Sequence, residues 1–409
     1  MKYVIIGNGP AAIGAIEGIR KKDKKGAITL ISKEPHHTYS RPLISYLLLG
    51  KTDEERMKYR PDGFYKDNGV DVMLGVTAES IDPVRQTVKT DKGKVPYDRL
   101  LIAAGSRPFI PPMKGFDAVE KKYSFMTLDD AKALSEALTP ETRVLIIGAG
   151  LIGLKCAEGI SGLCGHIAVV DLADRILSSI LDREAAAVVE KSLREHGMEF
   201  YLSDSVEEFK GGRARLKSGK TIEFDVLVTA VGVKANISLV KDAGGACERG
   251  IIVNDHMETT VTNVYAAGDC AQGTDCVTGQ SRILALMPNA YMQGECAGRN
   301  MAGEPGAFDR AMAQNAIGFF GLHMVTAGAY EGEVYFERGE GLYKKLFYRD
   351  DRLMGYIIIG DIRRAGIYTA MIRDRTPLSG IDFELICKDP SLLPFGKKRR
   401  AEMLGGVKN

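Results

Sequence analysis

Two stretches of this 409-residue chain have residue types and spacing that could do chemistry. The first is Val4-Ile5-Ile6-Gly7-Asn8-Gly9-Pro10-Ala11-Ala12 and the second is Val144-Leu145-Ile146-Ile147-Gly148-Ala149-Gly150-Leu151-Ile152-Gly153. Each is G-x-G-x-x-G/A between an apolar run of strand length and helix-compatible sequence. Glycines there permit a tight turn and let backbone N–H groups approach a pyrophosphate, which lies against the helix N-terminus. One such loop is a weak signal. Two in strand-to-helix context predict two dinucleotides on one chain.

Further candidates follow from position. A carboxylate at the end of the strand after each loop can accept bonds from ribose hydroxyls. After the first loop the strand ends at Ser32, and Glu34 is the candidate; after the second it ends at Asp171. An acid at Asp171 would repel a 2′-phosphate and favours NAD over NADP, although Arg175, four residues on, could reach such a phosphate. Gly268-Asp269 closes another apolar strand, a place where Asp can accept bonds from hydroxyls or simply shape a turn. No cysteine precedes Cys156, and the seven present contain no C-x-x-C or C-x4-C. That excludes a redox disulfide beside the first loop and an iron–sulfur site of usual spacing. Cys270 reads as a small buried hydrophobe. His323 and His36-His37 lack spaced partners, so no metal site is predicted.

These residues need a particular scaffold. Strands are predicted at Tyr3 to Ile6, Ala27 to Ser32, Val70 to Leu74, Gln86 to Thr90 and Leu100 to Ala104. Pro108, Pro111 and Pro112 mark a domain crossing. A second α/β unit starts near Thr142, with strands at Val144 to Ile147, Ile167 to Asp171 and Val226 to Val231, a helix through Cys164 and another over Asp182 to His196. Short strands follow at Gly250 to Val253 and Val264 to Ala267. Near the C-terminus, runs at Leu342 to Tyr348 and Met354 to Ile359 flank a hairpin turn at Arg349 to Arg352, and a helix spans Ile362 to Ile372.

Composition narrows the class. Hydrophobic content of 45% and charged content of 26% suit a globular protein, and a net charge of +2 argues against a nucleic-acid binder. Trp is absent and aromatics are 7%, which leaves few stacking surfaces for single strands. No membrane span or signal peptide is predicted, and an odd number of scattered cysteines fits a cytoplasmic protein. The basic run Lys397-Lys398-Arg399-Arg400 is a solvated terminus or a docking patch for an acidic electron carrier.

The order of the first loop, Leu100-Leu101-Ile102-Ala103-Ala104-Gly105-Ser106-Arg107-Pro108, the second loop and Val264-Tyr265-Ala266-Ala267-Gly268-Asp269 resembles the FAD-dependent pyridine nucleotide-disulfide oxidoreductase superfamily. Tyr39-Ser40-Arg41-Pro42-Leu43-Ile44-Ser45, Asn315 to Gly321 and Gly360-Asp361-Ile362 are similar to its branch of rubredoxin reductases and nitrite reductase large subunits. Superfamily disulfide reductases carry cysteine where this chain has Arg41 to Ser45. The resemblance implies FAD on Gly7, Gly9, Pro10, Ala11 and Ala12, with Glu34, Arg41, Pro42, Ala78, Ala104, Gly105, Arg107, Asp269 and Pro288 around it. It implies NAD(P)H on Gly148, Gly150, Leu151, Ile152, Gly153, Asp171, Arg175 and Gly232, and the Asp171 carboxylate favours NAD(H) over NADP(H) there. Lys155 stands where the superfamily usually has Glu, near the nicotinamide.

The implied fold is α/β: two Rossmann-like dinucleotide-binding domains, one inserted in the other, plus a small α+β C-terminal domain. Residues 1–112 and 242–308 would hold FAD, 113–241 NAD(P)H, and 309–409 would form an interface domain. The implied activity is NAD(P)H:acceptor oxidoreduction with a one-electron carrier such as rubredoxin, ferredoxin or another iron–sulfur protein. The alternative is the NAD(H)-reactive subunit of a larger metalloenzyme, of nitrite reductase or tungsten/iron–sulfur aldehyde oxidoreductase type. An NADH oxidase and a non-catalytic flavoprotein sensor are further options. The chain could form an oligomer, and no side chain is assigned as acid, base or nucleophile.

Overall fold

A computed structural model describes residues 1–396, so the Lys397 to Arg400 run lies outside the described residues. The chain begins with β1 (Lys2–Ile6), α1 (Pro10–Lys22) and β2 (Ala27–Ser32), passes the short helix α2 (Ile44–Leu48), and adds β3 (Val70–Leu74) and β4 (Arg99–Ile102). A second series follows with β5 (Lys122–Tyr123), α3 (Leu128–Glu136), β6 (Arg143–Ile147), α4 (Leu151–Ile160), β7 (His166–Asp171), α5 (Arg183–Glu195), β8 (Met198–Leu202) and β9 (Val226–Thr229). Then β10 (Val264–Ala266) and α6 (Met287–Met301) return to the first series.

Two five-stranded parallel sheets result, in the orders β10-β4-β1-β2-β3 and β8-β7-β6-β9-β5. Their central strands read as continuous apolar runs because both faces are covered. In β1, Tyr3 and Ile5 face a core shared with α1 and α6, while Val4 and Ile6 face the opposite core. That opposite face is covered by a three-stranded antiparallel meander, 78–96, through Ile81 and Val88. The second sheet has the same arrangement, with the meander 206–223 packing Phe209, Ala214, Leu216 and Ile222 on it. The outgoing and returning chains between the two sheets pair as an antiparallel ribbon, Ser106–Pro108 with Val233–Ala235.

Helix α6 reaches α1 through glycine. A Cβ on Gly294 would lie 1.9 Å from the Ala11 carbonyl oxygen, and one on Gly298 would lie 2.2 Å from that of Ala15. From the other side, a Cβ on Gly14 would meet the Tyr291 oxygen at 2.2 Å and one on Gly18 the Glu295 oxygen at 2.4 Å. Both pairs are spaced i, i+4, so they share a face and bring the two backbones into contact. Tyr291 and Arg60 then close on Glu17, Arg60 Nε at 2.7 Å.

Helix α4 ends at Ile160, short of the predicted Cys164. Gly162 and Gly165 flank a turn in which Leu163 donates to the Ile160 carbonyl at 2.8 Å, and glycine is poor in helix interiors. Asp182, by contrast, caps α5 by accepting from Ala185 N.

Backbone contacts divide the chain into two compact units. The first is Met1–Thr274 with Ser281–Asp309, and the second is Asp275–Gln280 with the chain from Arg310. The second unit is α+β: a sheet of β11 (Gln314–Phe319), β12 (Leu322–Gly328), β13 (Glu333–Gly339), β14 (Leu342–Arg349) and β15 (Arg352–Gly360), followed by α7 (Ala365–Arg373) and α8 (Phe383–Lys388). Its strand order is β11-β12-β15-β14-β13, antiparallel throughout. Asp350 and Asp351 both take positive φ, 51° and 59°, as a two-residue turn between twisted strands requires. The predicted helix from Ile362 starts instead at Ala365, since Arg364 is left-handed with φ 62°. Lys344 is buried there, its ammonium donating to Glu337 at 2.8 Å and to the Cys387 carbonyl at 2.9 Å at the end of α8.

Candidate dinucleotide-binding sites

The glycines of each fingerprint do two different jobs. Gly7 and Gly148 have φ of 117° and 111°, and a Cβ on either would lie 2.0 Å from the Ala103 oxygen or 2.3 Å from the Ala230 oxygen. The fold itself demands glycine at these two. Gly9 and Gly150 are in ordinary extended backbone, φ −91° and −82°, and a Cβ there would meet nothing within 4 Å. Neither conformation nor protein packing requires glycine at the second position. What it leaves clear is the space directly before a helix N-terminus, which is the space a pyrophosphate needs. At the third position Ala12 is fully buried, and a Cβ on Gly153 would strike the Gly148 oxygen at 2.0 Å.

The long helices of the first unit begin in two different ways. Helices α3 and α5 begin on side-chain caps, Thr127 and Asp182. Helices α1, α4 and α6 begin on Gly9, Gly150 and Leu286 with no side-chain cap, and two of them carry proline, Pro10 and Pro288, in the first turn. Their leading N–H groups therefore point outward with partial positive charge. The geometry fits a dinucleotide at each fingerprint.

Around the first site, Asn8 donates to the His36 carbonyl at 3.2 Å and accepts from the Tyr65 hydroxyl at 2.6 Å, which fastens residues 36–38 beside the loop. Thr38 Oγ1 and His37 Nε2 are buried there without a hydrogen-bond partner. Glu34 lies two residues past β2, but its carboxylate accepts from the Tyr39 hydroxyl at 2.6 Å and pairs with Arg41. A carboxylate has about four acceptor sites, so capacity for a ribose hydroxyl remains. Arg41 also donates to the Met126 carbonyl at 2.9 Å, and its charge is felt at Asp269. Burial pushes the Asp269 carboxyl above its ordinary range, and Arg41 opposes that shift. Gln293 on α6 accepts from Gly268 N at 2.8 Å and so sets the turn that presents Asp269.

Other first-site residues are more dispersed. Asn236 donates to the Ala104 carbonyl at 2.9 Å and accepts from Arg107 at 3.0 Å, which holds Arg107 on the exposed crossing ribbon. Pro42 is exposed in a single 3-10 turn, and Ala78 opens its meander opposite Thr90. The Cys270 thiol is buried and pushed up to about 11, so it is protonated at neutral pH. All seven cysteines are free.

At the second site Asp171 accepts from Ala149 N at 2.6 Å and from Ala173 N at 2.7 Å. One bond ties the acid to the glycine loop itself, and the other to the turn that follows. Arg175 is committed to its own loop, through Asp174 at 2.8 Å, the Leu181 carbonyl at 3.2 Å and the Ser178 carbonyl at 3.3 Å. Leu151 and Ile152 open α4 half-buried, and Gly232 is exposed past the end of β9. Lys155, one turn into α4, pairs with Glu158 and lies 4.5 Å from the centre of the Tyr46 ring on α2.

Sequence reasoning missed Tyr46, Tyr65, the hydrogen-bonding role of Gln293 and the paired glycines of α1 and α6. The G-x-x-x-G spacing in both helices was a readable signal; the tyrosine contacts, made between distant segments, were not. Among the described residues no group of three or more His, Cys, Asp or Glu is placed to hold a metal, and no helix is long and apolar enough to cross a membrane. His36 pairs with Asp129 at 2.7 Å.

Residues 1–294 match the family described as pyridine nucleotide-disulphide oxidoreductase. The chain is 33% identical to the epsilon subunit of NADH-dependent phenylglyoxylate dehydrogenase from Aromatoleum evansii, covering 92% of this chain and 93% of that one. It is 28% identical to NADH-rubredoxin oxidoreductase from Clostridium acetobutylicum, over 88% of this chain and 91% of that one. The crystal structure of the covalent putidaredoxin reductase–putidaredoxin complex superposes with a TM-score of 0.87 over 99% of both chains at 23% identity, which shows a common fold.

Proposed function

The chain belongs to the pyridine nucleotide-disulphide oxidoreductase family, and on that premise we propose that it binds FAD at the first fingerprint and NAD(H) at the second and passes electrons to a protein carrier. It is an FAD-dependent NAD(P)H oxidoreductase without the disulfide of the family's name. The observation that carries the assignment is the repeated pairing of an open glycine, Gly9 or Gly150, with an uncapped helix N-terminus.

A bound flavin supplies the conversion between a hydride donor and a single-electron acceptor. This chain's own residues hold and orient. Gly7, Gly9, Pro10, Ala11 and Ala12 cradle the FAD pyrophosphate, Glu34 and Ala78 serve the adenosine end, and Arg41, Pro42, Ala104, Gly105 and Arg107 line the remainder. Asp269 accepts from the ribityl hydroxyls, and α6 directs its N-terminus, at Pro288, toward the ring, where partial positive charge favours the reduced form. Gly148, Gly150, Leu151, Ile152, Gly153 and Gly232 receive the nicotinamide nucleotide. Asp171 takes its ribose hydroxyls, and because Arg175 is already bonded three ways, NADH is the preferred nucleotide over NADPH. In domain terms, 1–112 and 242–308 carry FAD, 113–241 carries NAD(H), and 309–409 forms the interface domain.

The acceptor is a rubredoxin- or ferredoxin-like protein, in keeping with the rubredoxin oxidoreductase relative. Near-full-length similarity to a subunit of an NADH-dependent dehydrogenase favours a second reading, in which the acceptor is an iron–sulfur subunit of a larger enzyme. We place the protein in the cytoplasm. Anaerobic titration with NADH tests the activity: stoichiometric bleaching of the flavin is expected, and its absence overturns the assignment. Affinity purification from the native host separates the two acceptors, since a stoichiometric metal-containing subunit would sink the free-reductase form.

A further inference from the structure

Lys155 links α4, which opens at the second fingerprint, to α2, which follows the Arg41-Pro42 turn. It sits one turn past Gly150 on α4, the helix whose N-terminus faces the second site. Its ammonium lies 4.5 Å from the centre of the Tyr46 ring. Tyr46 belongs to α2, which directly follows the Arg41-Pro42 turn of the first site. The two helices are closely packed: a Cβ on Gly159 of α4 would lie 3.1 Å from the Ser45 carbonyl of α2. The side chain is only 16% exposed and its partner Glu158 only 3%. A cation and its counter-ion thus lie where the helix that opens at Gly150 packs on the segment that follows the Arg41-Pro42 turn.

We propose that Lys155 discriminates between the oxidation states of the nicotinamide nucleotide, weakening NAD+ relative to NADH and so promoting release of the oxidised product. The physical basis is charge: the oxidised nicotinamide ring is cationic and the reduced ring is neutral. A nearby ammonium repels the first and leaves the second untouched, and burial limits the screening by solvent. Glu158 offsets part of that charge, while the Tyr46 face holds the ammonium at the α2 side of the pair, where an aromatic quadrupole stabilises it. The proposal rests on the assignment of the second site to NAD(H).

The test compares dissociation constants for NAD+ and for 1,4,5,6-tetrahydro-NAD, a neutral and redox-inert stand-in for NADH, by calorimetry on the FAD-loaded protein. For unit charges about 10 Å apart at an effective dielectric of about 20, reduced by partial compensation from Glu158, Lys155→Gln should lower the ratio Kd(NAD+)/Kd(tetrahydro-NAD) by about fivefold. Lys155→Arg should hold the wild-type ratio, and Glu158→Gln, which removes the neighbouring negative charge, should raise it. A purely structural role would weaken both nucleotides together. An unchanged ratio in Lys155→Gln, or a fall in Glu158→Gln, overturns the proposal while the site assignment stands. Failure of the wild-type protein to bind either nucleotide overturns the site assignment, and the proposal with it.

Discussion

Alanine at Gly150 and at Gly148 should separate ligand binding from folding within a single loop. At Gly150 the backbone has φ −82° and ψ −175°, and a methyl group would meet no protein atom within 4 Å. Alanine there costs the fold nothing and restricts the unfolded chain, a gain of about 0.4–1 kcal/mol. The same methyl occupies the approach of the pyrophosphate. Loss of even one charge-assisted hydrogen bond is worth about 1.5–3 kcal/mol, which is a tenfold or greater rise in Kd. At Gly148 the methyl would lie 2.3 Å from the Ala230 oxygen at φ 111°. Overpacking of about 1–3 kcal/mol adds to backbone strain of about 1–3 kcal/mol, so Gly148→Ala destabilises the fold outright. Urea denaturation with FAD bound gives the stability arm, and anaerobic NADH titration of the flavin spectrum gives the binding arm. The expected result is a Gly150→Ala protein at least as stable as wild type that binds NADH at least tenfold more weakly. NADH affinity within twofold of wild type, or early unfolding of Gly150→Ala, would refute the argument that the open glycine exists for the ligand.

Asp171→Ala should raise the KM for NADH far more than it lowers FAD content, measured on the purified protein; equal losses would mean that the two loops have been assigned the wrong way round. Gly294→Ala should drive α6 off α1, since its methyl would lie 1.9 Å from the Ala11 oxygen, lowering stability by about 1–3 kcal/mol and FAD occupancy with it; retention of both would show that the helices can slide apart freely. The Cys270 thiol, raised by burial to about 11, should resist iodoacetamide between pH 7 and pH 9 as mapped by mass spectrometry. Its reactivity would increase only as the pH approaches that value, and rapid labelling at neutral pH would contradict the burial. Arg143 holds the Asp225 carboxyl down at about 2, below its unfolded value, so its contribution is present above about pH 4 and is lost as pH falls through about 2. The pair is nearly half exposed, so solvent screening keeps its contribution small, and Asp225→Asn should shift acid-unfolding midpoints slightly and leave those at neutral pH almost unchanged.

By itself the sequence determined what local patterns can encode. Apolar runs of strand length followed by G-x-G-x-x-G/A specify a strand, a tight turn and a helix within one short window, and both windows fold that way at β1–α1 and β6–α4. The absence of cysteine before Cys156 ruled out the usual disulfide without any coordinates. Tertiary structure decided what depends on partners distant in the chain. That the fold demands glycine at Gly7 and Gly148 but not at Gly9 and Gly150 is visible only once Ala103 and Ala230 come alongside. Glu34 was legible as an acid after a strand, but its engagement with Tyr39 and Arg41 was not. Lys155 stood out in sequence as a charge where an acid is usual, yet its pairing with Glu158 and Tyr46 required α2 and α4 to meet. Spacing along a chain records which groups share a face of one element; which faces meet is settled by the packing of the whole.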